Sequence, residues 1–521
     1  MSGLRFEIPK KFTMDPLAWQ TAYLTGIEGL PWYCKRSHAE SICSIERSID
    51  ESSRLNVIWP SKHFGPILLS TTSLRSSQEP YDLSIELARG TLNRVRNQAF
   101  EWQRLGLRQN EDFLTSSAAA LENFLDSITR ARGAAAWTLA ESSIEHSLKA
   151  GQLLCRSFSE QALNFRHQQE PQLATLLGVQ LPFVAPENLS RFSVTETSNT
   201  VGIPLEPSLL RNRSGKMDFS IPDAQIQWAR QQGLRICAGP LFTLQPSSLP
   251  EWLMLVDDPF EQLLQAACDH VREVVSRYRG KVHLWHVTAG LNAPNDLRLT
   301  DDQALRLAVH TLQAVRRIDD RAAVILSVDQ PWCEYLGSNQ EAVSPLHFVD
   351  ALIRADLGLS GIGLEINHNY WPGGSLPRDL LEFNRLIDQW SLLGLPLMFL
   401  LRQPTDFGSD PIANSKTGIV SSWYPYAENA VAAPGAKPPA QKSKERSKVT
   451  TTEAKSPPAG PPNMYEIVEL MLAKQAVQGI IWNQLTDTEP HSYPNSGMWN
   501  HRGERTSQVD WWIQLRKKHL V

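Results

Sequence analysis

Apolar positions fall into three successive rhythms along the chain. Over residues 1–86, short β-type runs are separated by polar or Gly/Pro breaks: ICSIERSI (42–49), RLNVIWP (54–60), GPILLSTTSL (65–74) and YDLSIEL (81–87). That spacing predicts a small β-rich domain or half of a sandwich. Over residues 87–172 the period becomes helical. Leu87, Thr91, Leu92, Val95 and Ala99 share one face; Leu121, Phe124, Leu125 and Ile128 form a second stripe; Trp137, Ile144, Leu148 and Cys155 form a third. Arg89, Arg94, Arg96 and Arg104 lie off the first stripe and read as a solvated helix face in preference to a polyanion patch.

From 173 to 521, apolar runs alternate with helical segments. The runs are 173–183, 198–205, 234–242, 281–290, 322–330, 360–370, 395–403 and 478–487. Near-continuous apolar runs with helices between them suit parallel strands buried on both faces. Eight such units predict an α/β protein whose C-terminal two-thirds is a (β/α)8 TIM barrel, preceded by the small β-domain and the helical region. The helix signals agree. One stripe runs through Leu264, Ala267, Val271, Val274, Val275 and Tyr278 and stops at Gly280. Thr300 and Gln303 spell a capping box. Ser375 precedes Pro377 near the start of LLEFNRLIDQWSLLG, which stops at Gly394. Residues 430–463, rich in Pro, Ala and Lys, lack any apolar period. They read as a disordered insertion between the seventh and eighth strands, on the face where barrel active sites lie.

Composition narrows the function classes. Hydrophobic residues are 42% of the 521 and charged residues 20%, as in a globular protein. A net charge of −4 supplies no basic field for nucleic acid. Mean hydropathy is −0.29 and no apolar run is long enough for a membrane span. The first residues show no signal-peptide pattern, and the six cysteines contain no C-x-x-C pair. A cytoplasmic protein with free thiols is therefore expected. His283 and His286 are three apart on a strand and point to opposite faces. Neither a metal site nor another cofactor is expected.

Five segments carry a family resemblance: HVREVVSRYRGKVHLWHVTAG (270–290), GKMDFSIPDAQIQWARQQGLRI (215–236), SGIGLEINHNY (360–370), GLPLMFLLRQ (394–403) and GIIWNQLTD (479–487). In this order they resemble glycoside hydrolase family 10, the endo-β-1,4-xylanases. The resemblance implies a TIM barrel and a retaining mechanism with two Glu residues, an acid ending strand four and a nucleophile on strand seven. Those places hold Gly290 and Leu401, and their supporting Asn and Asp are Ala289 and Gln403. The family's sugar-binding Glu, Asn and Lys fall on Gly202, Ile203 and Glu206, and the third-strand His falls on Gly239. The sixth-strand Gln and His become Glu365 and Asn367, with His368 adjacent; the eighth-strand Trp survives as Trp482, and a second Trp falls near His491.

The catalytic set implied by the family is therefore absent. Glu365, Asp329, Asp406 and Asp487, with Glu489, lie at or beyond strand ends and are candidate substitutes, or else structural salt-bridge and loop residues. Trp482, Trp499, Trp371, His368 and His491 are candidate ligand-binding residues, the tryptophans either stacking on a sugar ring or packing in the core. His286 reads as a buried, hydrogen-bonded core histidine. Three readings remain. The first is a non-hydrolytic barrel binding carbohydrate or another small molecule, and the second an active glycosidase using displaced carboxylates. The third is a scaffold whose N-terminal region binds a protein partner.

Overall fold

The structure is a computed structural model that describes residues 2–8, 15–39, 41–131, 133–211, 216–244, 259–294, 297–339, 342–414, 417–420 and 463–520. The N-terminal runs form two four-stranded sheets. One orders β4 (Lys35–Ala39), β5 (Ile42–Arg47), β1 (Ser2–Glu7) and β8 (Tyr81–Asp82); the other orders β3 (Pro31–Trp32), β2 (Tyr23–Thr25), β6 (Arg54–Ser61) and β7 (Gly65–Ser70). The segment YDLSIEL is corrected: only its first two residues are strand, and helix α2 (Leu83–Arg104) begins at Leu83. The Asp82 carboxylate accepts the Ile85 N–H at 3.2 Å, and this cap outweighs the β-type composition that follows.

Helices α2, α3 (Glu111–Thr129) and α4 (Ala134–Gln169) fill the helical region. The first stripe is buried along its whole length. In the second stripe Leu125 is 45% exposed, so that face is narrower than its periodicity suggests. Leu87 and Leu92 of α2, and Ile144 and Leu148 of α4, pack on the sheets, whereas Val95 and Ala99 of α2, and Leu153 and Leu154 of α4, pack on the barrel. Both helices thus run from one core into the next.

The barrel strands are β9 (Leu176–Gln180), β10 (Thr200–Ile203), β11 (Arg235–Ala238), β13 (Leu284–Ala289), β14 (Ala323–Asp329), β15 (Gly361–Asn367), β17 (Leu397–Arg402) and β19 (Val477–Trp482). They pair in parallel and close through β11 and β13, with β12 (Phe242–Thr243) appended to β13. Outside lie α7 (Ser220–Gln231), α8 (Phe260–Tyr278), α9 (Asp301–Ile318), α10 (Pro345–Arg354), α11 (Leu380–Ser391), α12 (Met464–Ala473) and α13 (Ser507–His519). The Thr300–Gln303 capping box is present. Helix α11 is capped by Asp379 and not by Ser375; the Asp379 side chain accepts the Glu382 N–H, because Pro377 and Arg378 still belong to the loop. The predicted insertion at 430–463 lies outside the described residues, except Asn463, which caps α12.

Each strand alternates between two apolar layers. Leu397, Phe399 and Leu401 of β17 join the layer shared with the helices, whereas Met398 and Leu400 join Cys237, Leu284, Ile325 and Ile481 in the lumen. Among the described residues no helix is long and apolar enough to cross a membrane. All six cysteines are free and buried.

Two arginines, the buried Arg378 and the half-buried Arg94, dock the N-terminal elements on the barrel. Arg378, between β15 and α11, pairs with Glu334 beyond β14 at 2.7 Å and donates to the Tyr23 hydroxyl of β2 at 3.1 Å. Arg94 of α2 pairs with Asp379, and with Glu382 of α11 at 2.8 Å. This corrects the reading of Arg94 as part of a solvated face: its partners lie 285 and 288 residues away, beyond the reach of local pattern. Arg94→Met should lower unfolding stability by about 3–5 kcal/mol, because two buried carboxylates lose their cation. Urea denaturation measures it, and an unchanged midpoint would contradict the docking role.

Candidate functional site

Parallel strands expose their C-terminal ends together, so side chains at the last lumen-facing positions meet at the barrel mouth. Here those positions carry a connected polar network. His286 Nε2 lies 2.8 Å from Ser327 Oγ, and Ser327 Oγ donates to Glu365 Oε1 at 2.6 Å. With the serine proton committed to the carboxylate, the imidazole donates from Nε2. Burial pushes the His286 pKa down to about 4, so the ring stays neutral. Above this layer, Arg402 Nη1 lies 3.7 Å from Glu365 Oε2 and donates to Asn367 Oδ1 at 3.0 Å. Asn367 Nδ2 in turn donates to Asp329 Oδ1 at 3.1 Å and to the Tyr493 hydroxyl at 3.0 Å. The guanidinium sits 4.6 Å from the Tyr493 ring centre, and the Asn483 amide oxygen, in its satisfied orientation, accepts from Arg402 at 2.8 Å.

Asp329 and Glu365 stand opposite one another in the β14–β15 register. Burial, and then the charge of Glu365, raise the Asp329 pKa from 3.8 to about 8. Both effects favour a proton on Asp329. Two further polar atoms at the end of β17, Arg402 Nε and Gln403 Oε1, are buried with no hydrogen-bond partner among the described residues.

The positions matched to the family's catalytic and sugar-holding residues are differently placed. Leu401 faces the helix layer. Gly290 has φ +66° and opens toward Asp329, whose Cβ lies 3.7 Å from where a side chain would begin. The Gln180 amide fills the space a side chain would need at Gly202, and a Cβ at Gly239 would collide with the His286 carbonyl. Of the candidate ligand residues, Trp482 points outward, donating to the Ser496 carbonyl and packing on Trp511 and Trp512. Trp499 is buried edge-on to Phe192, His368 is buried against Phe383 with its pKa lowered by burial to about 3, and Trp371 is half-buried beside Tyr23 and Leu376. Asp406 is exposed and caps its own loop through the Phe407 and Gly408 N–H groups.

Asp487 and His491 do come together, with a residue that sequence reading missed. Asp410, in the loop after β17, lies 2.9 Å from His491 Nε2, and Asp487 Oδ1 lies 3.8 Å from the same nitrogen. Burial raises the Asp487 pKa to about 6. Burial also opposes ionisation of Asp410, but the Asn495 and Ile412 N–H groups and His491 hold it below its ordinary value. One donor atom from each residue fits within 4.8 Å, close enough for the three to share one ion. Arg402 was also missed, although period two in Met398–Leu400–Arg402 places it in the lumen.

Comparison with known proteins finds partial matches. The glycosyl hydrolase family 10 model matches residues 154–307, which end at α9. Endo-1,4-beta-xylanase C of Paenibacillus barcinonensis is 31% identical over 96 residues, 17% of this chain and 9% of that protein. Endo-1,4-beta-xylanase 2 of Claviceps purpurea is 27% identical over 118 residues, 23% of this chain and 31% of that protein. The chain therefore spans less than a third of either curated relative. Among solved structures, xylanase 10B of Thermotoga maritima aligns with TM-score 0.45 and 14% identity, over 70% of this chain and 98% of that one.

The protonation of Asp329 is testable. A carboxyl whose pKa rises on folding contributes stability that is full below its unfolded pKa and is lost as pH climbs through the folded one. The window here runs from 3.8 to about 8. Between about pH 5 and about pH 8, the wild type should lose stability relative to Asp329→Asn in urea unfolding. Parallel pH profiles would contradict a buried, protonated Asp329.

Proposed function

We propose that this chain, a relative of glycosyl hydrolase family 10, keeps the family's barrel as a ligand-binding scaffold and does not hydrolyse glycosides. The observation that carries this reading is the orientation of Leu401, an apolar side chain turned into the helix layer at the place matched to the nucleophile. The matched acid position, Gly290, has no side chain. A retaining mechanism needs two carboxyl groups about 5–5.5 Å apart on either side of the sugar bond. Asp329 and Glu365 stand on adjacent strands within one hydrogen-bonded network, so they do not flank a bound ring. The filled space at Gly202 and the closed one at Gly239 remove two sugar-holding positions as well.

A ligand of this mouth is a polar small molecule, carbohydrate being the class the ancestry favours. Arg402 Nε and Gln403 Oε1 offer it a free donor and a free acceptor. The N-terminal sheets act as a brace, since Tyr23 and Arg378 tie them to the loops beside the mouth. Free, buried thiols fit a reducing, cytoplasmic setting.

One observation favours a second reading, in which displaced carboxylates catalyse hydrolysis. Burial and the neighbouring carboxylate favour a proton on Asp329 while Glu365 lies beside Arg402, and unequal protonation is how an acid and its partner are divided in glycosidases. Product analysis after incubation with xylohexaose or an aryl xyloside separates the readings. No product should appear above the protein-free control, and Gly290→Glu with Leu401→Glu should restore none. Loss of the acid alone costs about 10²–10⁴-fold. Turnover by the wild type that Glu365→Gln abolishes would establish the second reading.

A further inference from the structure

The Asp410–Asp487–His491 trio has unmet electrostatics. His491 Nδ1 lies 2.8 Å from the Glu489 carbonyl, and a carbonyl only accepts, so Nδ1 carries the proton. Nε2 then faces Asp410 Oδ2 at 2.9 Å and Asp487 Oδ1 at 3.8 Å. A neutral ring would direct its lone pair at two carboxylate oxygens, a repulsion that a cation placed between them relieves. A second proton on Nε2 would serve Asp410 alone. Asp487, 0% exposed, would keep Oδ2 buried with no partner among the described residues. Leaving a buried carboxylate oxygen without a donor costs several times more than an ordinary hydrogen bond contributes. A divalent cation answers all three groups at once.

The surroundings hold the donors in place. Asp410 Oδ1 accepts the Ile412 and Ala413 N–H groups at 3.1 and 3.3 Å, and its Oδ2 accepts Asn495 N–H at 2.8 Å. Asp487 Oδ1 accepts the Gly497 N–H at 2.7 Å and the Gln484 amide at 2.5 Å. A ring nitrogen tied to a backbone carbonyl, with the other presented toward carboxylates, is the arrangement that orients metal-binding histidines.

We propose that Asp410, Asp487 and His491 form a divalent-cation site joining the loops after β17 and β19 at the C-terminal face of the barrel. One imidazole nitrogen with two carboxylates suits a borderline first-row ion such as zinc, whereas calcium prefers oxygen donors throughout. Three protein donors leave a further coordination position for water or a ligand.

The full-length chain, stripped with chelator and titrated calorimetrically with zinc chloride near neutral pH, tests this. One tight equivalent is expected, weakened at least about tenfold in Asp487→Asn and in His491→Gln. Absence of a saturable equivalent, or equal affinity in the wild type and both variants, would overturn the site and leave an imidazolium–carboxylate pair. If either variant lacks the wild-type circular dichroism, cobalt chloride added to the wild type decides. A visible absorption band that saturates at one equivalent and is displaced by zinc supports the site, and its absence overturns it.

Discussion

The barrel mouth depends on one guanidinium. Glu365 is buried at the end of β15, and a buried carboxylate persists only with a cation and donors around it. Arg402, on the next strand, supplies the charge and also holds Asn367 and Asn483. Asn367 then reaches Asp329 and Tyr493, and Ser327 passes the network down to His286. Four strands and the loop after β19 are joined by this network. Burial and the nearby charge of Glu365 outweigh the pull of Arg402 on Asp329 and favour a proton there. The charges of the mouth are thus matched against one another within the network.

The same economy of charge governs the seams. Arg94 offsets Asp379 and Glu382 where the long helices meet α11, and Arg378 offsets Glu334 where the sheets meet the strand loops. Asp379 does two things there, capping α11 and receiving Arg94, so the start of that helix and the docking of α2 are set by one side chain. The N-terminal elements are consequently fixed against the loops beside the mouth.

The barrel was legible because parallel strands buried on both faces leave an unbroken apolar run, and all eight runs became strands. Facing was harder to read. Trp482 and Leu401 sit in runs so uniformly apolar that nothing local says which neighbour looks into the lumen; pairing with flanking strands decides it. Capping misled twice: YDLSIEL reads as β-type, yet Asp82 starts a helix, and Asp379 displaces Ser375. Long-range partners were invisible in principle. His491 and Asp487 are four residues apart, but Asp410 is 81 residues from His491, and Arg94 is 285 residues from Asp379.

The proposed loss of retaining chemistry can be probed by covalent trapping. A 2-deoxy-2-fluoro-xylobioside with a good leaving group forms a stable glycosyl ester on the nucleophile of a retaining enzyme, because the fluorine slows both steps while the leaving group keeps the first one fast. Intact-protein mass spectrometry after prolonged incubation should show the wild-type chain unmodified. A stoichiometric adduct, located by peptide mapping on Glu365 or any other carboxylate of the mouth, would contradict the account.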